Sequence, residues 1–122
     1  REYLRKIRKD YKNLVRNIWN PFDKTHEGIL GCTTVNRLYI TPIGDVLVCP
    51  YVHIKIGNIF KQSLKEIVDY GFSIKHFRKH SDLCLAGEDK SFISKFMTKQ
   101  GQSIFKPALA EEIFPESDFI KN

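Results

Sequence analysis

Leu4, Ile7, Tyr11, Leu14, Val15 and Ile18 recur at spacings of three and four, which predicts one amphipathic helix over most of residues 2–19. Asn20 and Pro21 end it, and residues 21–31, with Asp23, His26 and Glu27 between Pro21 and Gly31, read as a loop that delivers the chain to Cys32. The pattern then changes from helical to extended. Residues 37–41 and 45–49 are short runs rich in β-branched and aromatic side chains, joined by Pro42-Ile43-Gly44. This predicts a β-hairpin, because Pro presets φ at the second turn position and Gly44 can adopt the left-handed conformation of a bulged turn. Residues 51–56 are expected to be extended, with Gly57-Asn58 as a further turn. Ser63 followed three residues later by Glu66 is a capping-box pattern, and Leu64, Ile67 and Val68 supply an apolar face, so a short helix is expected to run to about Tyr70 and stop at Gly71. A turn or two of helix over residues 73–79, with Ile74 and Phe77 inward, and a helix over residues 91–99, with Phe92, Ile93, Phe96 and Met97 as its core stripe, complete the regular elements. From Gly101 onward, Pro107, Pro115 and the acidic Glu111, Glu112, Glu116 and Asp118 read as an irregular extension. The expected fold class is α+β: a small antiparallel β-hairpin or sheet flanked by short helices and preceded by one longer amphipathic helix.

The chain of 122 residues, 42% hydrophobic and 28% charged, is the size and composition of one globular domain. It divides into a basic helix over residues 1–20, a central domain over 21–100 and an extension over 101–122. The net charge is +6, but seven basic residues against Glu2 and Asp10 place +5 of it within residues 1–20. A solvated helix face accounts for that concentration, so nucleic acid is not the expected partner although phosphate binding is the usual use of a basic surface. No apolar run is long enough to cross a bilayer, and none of signal type follows the basic start, so no membrane partner and a cytoplasmic location are expected. The chain opens on Arg1 within the helical pattern, which reads as part of something longer.

Three cysteines are too few, and odd in number, for a disulfide framework. Cys32 and Cys49 bracket the hairpin and Cys84 returns after a helix, so the topology can bring three thiols to one end of the sheet. Soft thiolates converging from separated positions suit an iron–sulfur cluster. A buried small hydrophobe is the bland alternative for any one of them. A structural zinc module of three Cys and one His is a second alternative, but zinc usually takes its ligands in close pairs two to four residues apart, and the sequence has no such pair. A basic nucleic-acid-binding domain is the third.

The order Cys32, eleven residues, Gly44, four residues, Cys49, then Gly57-Asn58-Ile59 leading into Ser63-Leu64-Lys65-Glu66-Ile67, and finally Cys84, resembles the C-terminal auxiliary-cluster domain of radical S-adenosylmethionine enzymes, called SPASM with two clusters and twitch with one. The likeness spans about residues 26–90. With Cys84 as the single later cysteine, the chain is similar to the twitch form, which implies one auxiliary [4Fe-4S] cluster bound by Cys32, Cys49 and Cys84. The cysteine triplet that binds the catalytic cluster and S-adenosylmethionine is absent from the sequence, so the resemblance implies an upstream barrel of the same parent chain as the partner that carries them. This chain alone is then expected to be inactive. Electron transfer or substrate binding during a radical modification, of a peptide or of a small molecule, is the implied role. Three cysteines leave a fourth iron position open, with His26, where some relatives carry a further Cys, as the first candidate, followed by His53 and Glu88; Ser81 and Asp82 also flank Cys84, and an iron left open to an exchangeable ligand is the competing arrangement. His76 and His80 sit in a Lys- and Arg-rich stretch and are expected to be solvated.

Overall fold

A computed structural model of the chain describes Asp10, Cys32 and residues 34–120. The helix expected over residues 2–19, the loop leading to Cys32 and His26 lie outside the described residues. The rest is an α+β arrangement: a four-stranded sheet with short helices packed against it.

The hairpin forms as its sequence dictates. β1 (Tyr39–Ile40) pairs antiparallel with β2 (Asp45–Leu47), Tyr39 opposite Leu47 and Ile40 opposite Val46. Gly44 takes φ +81° and donates its N–H to the Thr41 carbonyl at 2.9 Å, while the Thr41 N–H reaches the Asp45 carbonyl at 2.9 Å and closes the loop. β2 also pairs antiparallel with β3 (Ile54–Asn58), with a bulge between Val46 and Leu47.

The third strand lies further along the chain than expected, and Gly57-Asn58 ends it rather than turning it. The physical reason is a close approach: a Cβ on Gly57 would stand 2.7 Å from Cγ1 of the buried Ile67, so only glycine lets the following helix settle on the strand. Asn58 then ties the elements together. Its Nδ2 donates to Ile43 O at 3.0 Å and to Asp45 Oδ1 at 2.9 Å, and its Oδ1 accepts the Phe60 N–H at 2.9 Å. Asp45, itself buried, also pairs with Lys55 Nζ at 2.5 Å. Burial alone would raise the Asp45 carboxyl, but the bonds from Lys55 and Asn58 outweigh it and hold the group below its ordinary value.

α1 (Leu64–Ser73) starts at the expected capping box: the Ser63 N–H donates to Glu66 Oε2 at 2.8 Å and the Glu66 N–H to Ser63 Oγ at 3.3 Å. The helix does not stop at Gly71. That residue is buried within it, and a Cβ there would meet Ile56 Cδ1 and both methyls of Val35 at 3.0 Å. Gly71 is therefore a packing glycine, and the helix ends at Ile74, whose backbone is extended. α2 (Lys75–Arg78) follows and buries Phe77 as expected. Asp89 then caps α3 (Lys90–Phe92) by accepting the Phe92 N–H at 2.9 Å, and the helix continues through a π-helical turn (Ile93–Met97) into α4 (Thr98–Gln102).

The expectation of an irregular extension from residue 101 does not hold. β4 (Ala108–Leu109) adds to the sheet parallel to β3, Ile54 opposite Ala108, and leads into α5 (Ala110–Ile113) and a 3-10 turn (Glu116–Asp118). Ala108, Ala110, Ile113 and Phe114 enter the same core as Val46, Ile54, Ile67 and Ile74. Burying each of the five isoleucines of this core, Ile113 of this segment among them, contributes about 2 kcal/mol of transfer free energy, so the segment is part of the domain as the hairpin is. Among the described residues no helix is long and apolar enough to cross a membrane.

Candidate metal centre

Cys49 lies two residues beyond β2, and the chain there folds back on the sulfur. The Tyr51 and Val52 N–H groups donate to Cys49 Sγ at 3.4 and 3.1 Å, and Pro50, between Cys49 and Tyr51, has no N–H to compete. Burial pushes the Cys49 thiol up, the two backbone bonds pull it back in part, and the nearby sulfurs of Cys32 and Cys84 push it up further, so it lies above its ordinary value.

Backbone bonds join the segments that carry the three cysteines. The Cys32 N–H donates to Ser81 O at 2.8 Å, which ties this cysteine to the loop that carries Cys84, and the Val35 N–H donates to Val48 O at 2.9 Å, which ties it to the residue before Cys49. Val35 adopts φ +66°, a conformation that β-branched residues rarely accept. It is held there by the Val48 bond and by the contact of its methyls with Gly71. Backbone strain of this kind, on the order of 1–3 kcal/mol, persists only where the surroundings over-determine it. Here it turns the chain after Cys32 and Thr34, whose Sγ and Oγ1 are 2.6 Å apart.

Cys84 is buried at the start of a tight turn. Its carbonyl accepts from the N–H groups of Gly87, Glu88 and Asp89 at 3.2, 2.8 and 3.1 Å, and its own N–H donates to Glu88 Oε2 at 2.9 Å. Glu88 thus stands beside Cys84 with one oxygen occupied by the backbone. His53 is exposed and its Nε2 lies 2.7 Å from Pro50 O, which takes that nitrogen. Ser81 spends its hydroxyl on Leu83, and Asp82 stands 3.6 Å from His80. Among the described residues no group of three His, Cys, Asp or Glu is drawn together as the ligands of one metal ion would be.

All three cysteines are free thiols. The donor set fits an iron–sulfur cluster on its chemistry: three soft sulfurs from three separate segments, two of them buried and one half-buried, with backbone N–H groups already directed at one sulfur.

Two histidines were expected to be solvated, and one is not. His76 Nε2 lies 2.7 Å from Oδ2 of the buried Asp118, and its ring packs on Phe96 and Phe114 at centroid distances of 4.7 and 5.6 Å. Lys75 pairs with the other oxygen of Asp118. Nothing local in the sequence announces this pairing, because Asp118 comes from the segment that read as irregular. His80 remains exposed.

One cysteine thus follows the hairpin by two residues, and two more stand on segments tied to it by backbone bonds. Residues 32–87 match the model of the SPASM family, an iron-sulfur cluster-binding domain. The match begins at Cys32 and includes Cys49 and Cys84. No curated protein and no solved structure matches the chain.

Proposed function

We propose that the domain holds one auxiliary [4Fe-4S] cluster through Cys32, Cys49 and Cys84, and that it serves a radical S-adenosylmethionine enzyme whose barrel lies upstream in the parent chain. The observation that carries this reading is three free thiols on segments joined by the Cys32 N–H to Ser81 O and Val35 N–H to Val48 O bonds, with the Tyr51 and Val52 N–H groups on Cys49 Sγ. When bound, such a cluster supplies one-electron chemistry or an iron at which a substrate can be held. The chain's own residues do the rest. The two N–H groups favour the thiolate form of Cys49 over the thiol once a metal displaces its proton. Burial of Cys49 and Cys84 limits solvent at two ligands, while half-buried Cys32 faces a hollow of about 230 Å³ where a substrate can approach.

The fourth iron position has no cysteine. His53 and Glu88 each have one atom engaged with the backbone and a second that can ligate, so they stand beside His26 and an exchangeable ligand as candidates. Electron transfer or substrate binding in a radical modification, of a peptide or a small molecule, is the role this arrangement serves. A cluster with one half-exposed ligand suits a reducing cytoplasm.

The test is anaerobic reconstitution of the chain with iron and sulfide. About four irons per chain with broad visible absorption are expected, and Cys49→Ala should abolish both. Stoichiometric zinc with no uptake of iron under the same conditions would refute the reading. Replacing His26 by Ala should alter the electron paramagnetic resonance of the reduced cluster if imidazole binds iron; an unchanged spectrum with a new signal on adding cyanide would assign an open iron.

A further inference from the structure

Two hollows adjoin on the face that carries Cys32. One, of about 230 Å³, runs from Cys32 and Thr34 over Phe77 to Arg78, Lys79 and His80. The other, of about 300 Å³, is bounded by Asp89, Ser91, Phe92, Lys95 and Phe96. They share His76, Lys79, His80, Ser81 and Leu85, so the two form one groove.

The groove has a mixed polar and apolar floor, reached by the edges of a few core side chains, and a cationic rim. Phe77, Leu85, Phe92 and Phe96 are the core residues whose outer edges reach the floor. Arg78, Lys79 and Lys95 are exposed on the rim. His76 stands at the junction of the two hollows, its ring fixed by Asp118 on one side and Phe96 on the other. Among the described residues no carboxylate lines the half next to Cys32. Those nearby are already engaged: Asp118 with Lys75 and His76, Asp89 with the Phe92 N–H, and Asp82 at 3.6 Å from His80.

A solvated basic face would be convex and would have no aromatic edges in its floor. A concave site with converging polar groups suits a small polar ligand, and a guanidinium beside it matches a carboxylate or phosphate in two parallel hydrogen bonds. Low-dielectric walls also focus the cationic field into the groove.

We propose that this groove binds a ligand with a carboxylate or phosphate group on a partly apolar body, the anion at Arg78 and Lys79 and the body over Phe77 and Leu85. Bound there, the ligand lies beside Cys32. The proposal builds on the cluster reading for what that end of the groove meets, and on the groove alone for binding.

The experiment is calorimetric titration of the anaerobically reconstituted chain with three probes: inorganic phosphate, 3-phenylpropionate and the uncharged 3-phenylpropionamide. At least one anion is expected to bind with Kd below about 1 mM, the amide not at all, and the double substitution Arg78→Glu, Lys79→Glu should weaken binding by about tenfold or more. Both side chains are exposed, so the variant should keep the wild-type circular dichroism. Preference for phosphate or for phenylpropionate decides which anion the groove takes. Failure of both anions to bind, equal binding of the amide, or unchanged affinity in the double variant would overturn the proposal. Iron content is measured on the same samples: anion binding without iron supports the groove and refutes the cluster, and iron without anion binding does the reverse.

Discussion

Replacing Asn58 by Ala removes three hydrogen bonds at once: those to Ile43 O, to Asp45 Oδ1 and from the Phe60 N–H. Each is worth about 1 kcal/mol net. Asp45 keeps Lys55 as a partner, and water can reach the exposed turn at Ile43, so the loss should be about 2–3 kcal/mol rather than the full desolvation cost of three orphaned groups. For a chain of this size that is a fall in Tm of about 8–12 °C. Thermal unfolding of the iron-free chain, followed by circular dichroism, measures it. Asn58→Asp is the sharper variant, since it keeps an acceptor for the Phe60 N–H but sets a second carboxylate beside Asp45. It should be less stable than Asn58→Ala at neutral pH, and the gap should close as the pH falls through the carboxylate range. A change of less than about 2 °C for Asn58→Ala, or a gap between the variants that does not depend on pH, would show that Asn58 is not the tie between hairpin, strand and turn.

Three further outcomes follow from the buried titrating groups. Asp45 and Asp118 are both held below the ordinary carboxylate value of 3.8, for although burial pushes each one up, Lys55 and Asn58 in one case and Lys75 and His76 in the other outweigh it. Their contribution is therefore fully present above that value and is lost as the pH falls through the lower folded one, so urea midpoints should drop below about pH 4, and less steeply in Asp118→Asn. The Cys49 thiol, raised above its ordinary 9.0, keeps its proton in the folded chain, so its alkylation by iodoacetamide at pH 8 should be slower than that of a free cysteine and should rise only above pH 9. By the same linkage, Cys49 stabilises the iron-free fold below pH 9 and that contribution fades as the pH climbs through the raised value. Alkylation at pH 8 as fast as the free amino acid would contradict the burial argument.

The parts of this molecule that sequence reveals are those whose cause is local. Gly44 and the Ser63–Glu66 box act within a few residues, and the hairpin turn and the start of α1 are where the pattern puts them. Gly57 and Gly71 look like a turn and a stop because glycine usually serves those ends. Their cause is the approach of Ile67 and Val35, which only the packed structure contains. The same holds for β4: Ala108 and Leu109 have too short an apolar run to announce a strand, and they form one because β3 offers a free edge. At the candidate site the cysteines were legible by their order around the hairpin. The left-handed turn at Val35, the Glu88 bond to the Cys84 N–H and the His76–Asp118 pair were not, since each depends on a partner or a backbone twist that the sequence does not mark.

The most direct measurement is native mass spectrometry of the anaerobically reconstituted chain. One four-iron, four-sulfide unit per chain is predicted, and its loss in each of Cys32→Ala, Cys49→Ala and Cys84→Ala. A single zinc ion, or a cluster that survives removal of one of these cysteines, would contradict the assignment.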